Sequence, residues 1–127
     1  MNKISATPFE TSSTNDGKVE IEDVHYDLNN LEITIGIFKN KGTKKIIFDD
    51  VCGFRAFDEG DLSFWWEDLN LSKGWCFEVS EGGWFEFEKQ RKDFFSGSAD
   101  FYREFLVIGV DLCVSVITKG SPTIHEL

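Results

Sequence analysis

Apolar and polar residues alternate through much of this chain with a period of two, the spacing of a strand with one buried face. Val24, Tyr26 and Leu28 hold the apolar phase before Asn29-Asn30, and Leu31, Ile33, Ile35 and Ile37 hold it afterwards. Asn tolerates positive φ, so the pair predicts a two-residue hairpin turn. That turn sets Leu28 opposite Leu31, Tyr26 opposite Ile33 and Val24 opposite Ile35. Val19 and Ile21 fall out of phase, and one extra residue near Glu22-Asp23, a β-bulge, returns Ile21 to a place opposite Ile37. The same register faces Asp27 with Glu32, a like-charge contact of small cost.

Asn40-Lys41-Gly42 predicts the next turn, followed by a strand through Lys44-Lys45-Ile46-Ile47-Phe48. Asp49-Asp50 interrupts it, and Val51 to Phe57 resumes it, with Gly53 marking a bulge or a close backbone approach. Asp58-Glu59-Gly60-Asp61 reads as a turn, and Leu62 to Ser72 has no clean period. Trp75, Phe77 and Val79 alternate as a short strand. Residues 81–95 suit a helix capped by Ser80 slightly better than a strand, although Phe85 and Phe87 also alternate with Glu86 and Glu88. Ser96-Gly97-Ser98 closes that element.

Phe101 to Ile108 and Leu112 to Ile117 form the last hairpin, around Gly109, Val110 and Asp111. Phe105, Val107, Leu112, Val114 and Val116 share one face; Leu106, Ile108, Cys113 and Ile117 make the other apolar too. Strands buried on both faces carry such runs, so this hairpin is the expected centre of the sheet. The chain then ends polar, around Pro122 and His125. The fold class expected is mainly β (α+β), an antiparallel sheet built from hairpins, with five to seven strands and one or two short helices. Residues 1–17 form a polar lead-in that is ordered only if it docks, with Phe9 as its one aromatic anchor, and residues 18–127 form a single domain.

Composition agrees with a folded core: 41% of the 127 residues are hydrophobic, with thirteen Phe and four Trp. A chain of this length buries roughly two thirds of the surface it exposes when unfolded. Cys52, Cys76 and Cys113 lie in apolar or aromatic runs, too far apart for a Cys-x-x-Cys site, and are expected reduced and mostly buried. No apolar segment follows Met1-Asn2-Lys3 as in a signal peptide and none is long enough to span a bilayer, so the cytoplasm is the expected compartment.

Charge narrows the partners further. Thirteen Lys and Arg face 23 Asp and Glu, a formal net charge of −10. Such a field repels nucleic acid and anionic membranes and steers cationic partners inward. Lys39, Lys41, Lys44 and Lys45 are the one basic cluster, read as a solvated turn guarding a sheet edge. His25 and His125 are the only histidines and stand in no metal-ligand pattern. Asp58-Glu59-Gly60-Asp61 lacks the alternating ligands of a calcium loop, and phosphate-loop and dinucleotide fingerprints are missing. No catalytic residue, metal or cofactor is assigned.

One segment concentrates charge. Between Asp49 and Asp68 lie Asp49, Asp50, Asp58, Glu59, Asp61, Glu67 and Asp68 against Arg55 alone, a local charge of −6, with Trp65 and Trp66 embedded among them. A Trp anchor ringed by carboxylates is a pattern that binds a basic protein surface.

The runs Phe101-Tyr102-Arg103-Glu104-Phe105-Leu106-Val107-Ile108, Leu112-Cys113-Val114-Ser115-Val116-Ile117 and Ser121-Pro122-Thr123-Ile124 resemble the ends of small bacterial proteins that accompany polymorphic or contact-dependent toxins. Ile46-Ile47-Phe48-Asp49-Asp50-Val51-Cys52-Gly53-Phe54-Arg55 is similar to their middle strand; together these runs cover about a fifth of the chain. The resemblance implies an antiparallel-sheet immunity protein and carries over no catalytic residue. The expected function is a non-catalytic protein-binding domain that neutralises a toxin, such as a nuclease domain, through its acidic-aromatic surface. A small homo-oligomeric regulatory or structural domain and a small hydrolase without a recognisable motif are the alternatives.

Overall fold

A computed structural model describes residues 4–58, 73–88 and 102–127. Among them are nine strands and two short helices in the order β1 (Ser5–Pro8), α1 (Thr11–Asn15), β2 (Val19–Tyr26), β3 (Leu31–Ile37), β4 (Thr43–Phe48), β5 (Val51–Asp58), β6 (Cys76–Glu81), α2 (Trp84–Glu88), β7 (Arg103–Ile108), β8 (Leu112–Thr118) and β9 (Thr123–Glu126). The strands form two antiparallel sheets, β1-β6-β7-β8-β5 and β2-β3-β4-β9. The mainly β, antiparallel class is the expected one, with two more strands than expected. No helix among the described residues is long and apolar enough to cross a membrane.

The sheets pack face to face. Leu31, Ile33, Ile35 and Ile37 on β3, with Ile46 and Phe48 on β4, bury against Phe105, Val107, Val114 and Val116 of the other sheet. Each such side chain contributes about 1.5–3 kcal/mol by leaving water. The outer face of the five-stranded sheet carries a second cluster of Phe77, Val79, Leu106, Ile108 and Cys113. The β7–β8 hairpin is therefore buried on both sides, as its double apolar phase requires.

The first hairpin differs in register. Tyr26 pairs with Leu31, His25 with Glu32 and Val24 with Ile33, so the connection holds four residues, Asp27 to Asn30, and not two. The longer loop relieves the Asp27–Glu32 opposition, and Glu32 instead pairs with Lys45 at 3.0 Å. The expected bulge is present, between Ile21 and Asp23, but it brings Ile21 opposite Ile35.

The N-terminal segment docks through main-chain pairing and one buried polar cluster. β1 pairs with β6, and the Phe9 ring meets Phe105 edge-on at 5.3 Å. The Ser13 hydroxyl accepts from the amides of Trp75 at 3.2 Å and Cys76 at 3.0 Å. Asp16 receives the indole N–H of Trp75 at 2.9 Å and pairs with Lys44 at 2.9 Å. Lys44 is thus no edge lysine. It lies in the inward phase of β4, which is flanked by β3 and β9, and is 6% exposed.

Cys76 and Cys113 are buried as expected, but Cys52 is exposed. The register shift between Val51 and Gly53 makes Cys52 the extra residue of a bulge and takes it out of the buried phase. Burial above all, aided by the carboxylates of Glu10 and Glu78, pushes the Cys76 thiol well above its usual range. A thiol reagent followed by mass spectrometry will label Cys52 in the native protein, and Cys76 and Cys113 only after unfolding. Labelling of all three without denaturant would contradict this packing.

Candidate binding surface

Chain direction decides which acids meet. β4 ends at Phe48 in one sheet and β5 begins at Val51 in the other, so Asp49-Asp50 is the corner where the chain changes sheets. Asp50 makes that corner with φ +53°. The Thr118 hydroxyl donates to the Asp49 carbonyl at 2.6 Å, and the Val51 amide donates to the Asn29 carbonyl at 3.1 Å. The second bond ties the corner to the β2–β3 loop.

That loop is built by its own side chains. The Asp27 carboxylate accepts from the Asn30 amide at 3.1 Å, while the Asp27 amide donates to the Asn30 carbonyl at 3.1 Å. The Tyr26 hydroxyl donates to the Leu28 carbonyl at 2.9 Å, and its ring lies 5.1 Å from Phe54 on β5. Leu28 has φ +78° and is 82% exposed. A left-handed conformation costs a non-Gly residue about 1–2 kcal/mol, so the loop holds an apolar side chain in water against two penalties. Tyr26 is 41% exposed, and Asp27, Asp49 and Asp50 are exposed too.

Lys119 lies at the same end of the molecule, next to Thr118. Arg103, the register partner of Thr118, is engaged elsewhere. Its guanidinium donates to both oxygens of Glu78, at 2.7 and 2.6 Å, and to the Ser121 hydroxyl at 2.6 Å. The hydrogen bond to Glu78 is the main cause that raises the Arg103 pKa.

Asp58 does not join this corner. It ends β5 opposite Leu112, whereas Val51 begins β5 opposite Thr118. Seven strand steps separate the two ends by roughly 23 Å. The acids that are close in sequence are thus split between opposite ends of the sheet. Glu59, Asp61, Trp65, Trp66, Glu67 and Asp68 lie outside the described residues. Sequence reasoning missed Tyr26 and Leu28 as surface residues, because the two-residue turn placed both in the buried phase, and it left Asp27, in the polar phase, out of the binding surface. The available signal was Asp27 at the first position of a four-residue turn, a place Asp favours through its side-chain acceptor.

No protein-family model, curated protein sequence or solved structure matches the chain. Function therefore has to be argued from the chemistry of its surfaces.

A concavity of about 340 Å³ is lined by Val79, Ser80, Glu81, Gly83, Phe85, Glu86 and Glu104. Glu104, on β7, is 3% exposed. Its oxygens accept from the amides of Trp84 at 3.0 Å and Phe85 at 2.9 Å, the first turn of α2. The cap expected of Ser80 thus comes from another strand; Ser80 belongs to β6 and donates to the Ser5 carbonyl at 3.0 Å. Gly83 is required here, since a Cβ would stand 2.7 Å from both Val79 and the Glu104 carboxylate. Burial pushes the Glu104 pKa up to about 7, against the lowering effects of the Phe85 and Trp84 amides and of Arg55.

Proposed function

We propose that this chain is a binding protein, an immunity-type inhibitor that neutralises a bacterial toxin by covering a basic surface on it. One observation carries the reading. Leu28 and Tyr26 are exposed on a loop that the Val51–Asn29 main-chain bond ties to the corner, and Asp27 on that loop and Asp49 and Asp50 at the corner are exposed too. An apolar anchor inside a charged rim is the anatomy of a protein contact, with the rim steering encounter and the anchor slowing release.

The partner class follows from charge. A chain at −10 attracts a cationic surface, and a nuclease toxin carries one where it binds phosphates. Inhibition by occupation requires no chemistry from this chain. The cavity beside Glu104 gives little support to a hydrolase, because main-chain amides occupy both oxygens of that carboxylate.

The test is to sequence the neighbourhood of the gene and to mix the protein with the toxin domain this reading expects there. A stoichiometric complex by light scattering is expected, with toxin activity falling in proportion to the protein added. Full toxin turnover in the presence of excess protein would rule out direct neutralisation.

A further inference from the structure

We propose that the edge of β2 at Val24 and Tyr26 accepts an extended segment of a partner as a further strand, one that alternates basic and apolar residues. Such an addition rests on the reading of this chain as a binding protein and gives the form of the contact beside the acidic corner. β2 is an outermost strand of the four-stranded sheet, with β3 on one side only. The Asp27 amide donates to the Asn30 carbonyl at one end of the β2–β3 ladder, at 3.1 Å, and the Phe38 amide to the Lys18 carbonyl at the other, at 3.3 Å. Main-chain groups along an antiparallel strand turn alternately toward and away from the neighbour. Counted from both ends, with the bulge at Glu22 absorbing the change of phase, Val19, Ile21, Val24 and Tyr26 turn their N–H and C=O groups away from β3.

The fold covers one half of that edge. The Val110 amide, in the β7–β8 turn, donates to the Val19 carbonyl at 2.9 Å. A Cβ on Gly109 of the same turn would stand 3.0 Å from the Ile21 nitrogen, so this turn lies against Ile21 as well. Beyond the bulge the edge is open. Among the described residues, no main-chain bond reaches Val24 or Tyr26 from the side away from β3. Asp23 and His25 are exposed, Val24 is half-buried, and Tyr26 is 41% exposed. This open stretch runs directly into the Asp27–Asn30 loop that carries Leu28.

Charge decides what fills it. Residues 19–30 hold Glu20, Glu22, Asp23 and Asp27 and no Lys or Arg. A second copy of the chain would set these acids against themselves, and like charges on paired strands repel. Successive side chains of a strand point to opposite faces. In one phase the incoming strand lies beside Asp23 and His25, where basic side chains fit. In the other it lies beside Val24, which packs on the core, and the Tyr26 ring, 5.1 Å from Phe54. That phase takes apolar side chains. Main-chain bonds supply the affinity of an added strand, and such alternate positions supply its specificity.

The probe is a short synthetic peptide of alternating Lys and Val with blocked ends, compared with the same residues in block order. With the alternating peptide at about ten times its Kd, hydrogen exchange at the Val24 and Tyr26 amides should slow about tenfold, because only the unoccupied fraction exchanges. The Asp23 and His25 amides, which face β3, should change far less. V24P removes one outward N–H without removing a β2–β3 bond, and should weaken the peptide about tenfold. If V24P does not fold, the wild-type exchange pattern decides alone. Unchanged exchange at Val24 and Tyr26 up to the solubility limit of the peptide would overturn the strand addition. Equal binding of the block-order peptide would also overturn it, leaving charge attraction alone. Protection of these amides that grows with protein concentration, without peptide, would make the occupant a second copy and overturn it too. The synthetic probe keeps this result separate from neutralisation: failure of the peptide leaves toxin binding at the corner standing, and failure of the toxin leaves the strand addition standing.

Discussion

Replacing Asp16 by Asn should destabilise the protein by about 3–5 kcal/mol, the range for removing one partner of a buried ion pair. Asp16 is 6% exposed and accepts three contacts, two from the Lys44 ammonium at 2.9 and 3.0 Å and one from the Trp75 indole at 2.9 Å. The amide left behind is neutral, so the ammonium stays buried without a counter-charge. The Ser12 carbonyl at 3.4 Å is a weak substitute. A domain of this kind has about 5–15 kcal/mol of stability in total, so the midpoint of urea unfolding should shift far to the left. Removing both charges, as D16N with K44M, should recover much of the loss, because an apolar stem costs little where an unpaired ammonium costs much. A D16N protein within about 1 kcal/mol of wild type would mean that α1 does not close this end of the core.

That ion pair also marks where the sequence stops being readable. Asp16 and Lys44 are 28 residues apart, and each alone looks like a surface residue. Only the fold makes Lys44 the inward member of β4 and brings the end of α1 to meet it. β1 and β9 were silent for a related reason. Ser5–Pro8 and Thr123–Glu126 are short edge strands held by main-chain pairing, which leaves little trace in side-chain pattern.

The β7–β8 hairpin is legible because both of its faces are apolar, the bulge near Glu22 because the phase slips there, and the one beside Gly53 because a glycine interrupts the strand. At Leu28 the pattern misleads: alternation in step with Tyr26 and Val24 predicts a core residue, whereas the turn chemistry of Asp27 overrides the alternation. The same limit applies to the acids. Asp49, Asp50 and Asp58 are neighbours along the chain, but an extended strand carries its ends apart, so linear density does not make a patch.

The corner should dominate recognition. Changing Asp27, Asp49 and Asp50 together to Asn should slow association with the toxin about tenfold at low ionic strength, and much less at about 0.5 M salt, where the field is screened within a few ångströms. Leu28→Ser should instead raise the dissociation rate about 30-fold, the effect of a contact worth about 2 kcal/mol. It should leave association nearly unchanged and keep or slightly increase stability, since Leu28 contributes no burial at 82% exposure. Combined, the two sets should weaken affinity more than 100-fold, because rim and anchor act on different rates.

The most direct measurement of the central claim is therefore binding kinetics of wild-type, D27N/D49N/D50N and Leu28→Ser proteins against that toxin domain, at low and high salt, with each variant first shown to be folded. The account predicts a salt-sensitive loss confined to association for the first variant and a salt-insensitive gain in dissociation for the second. Folded variants that bind with wild-type rates at both salt concentrations would place the contact elsewhere and contradict it.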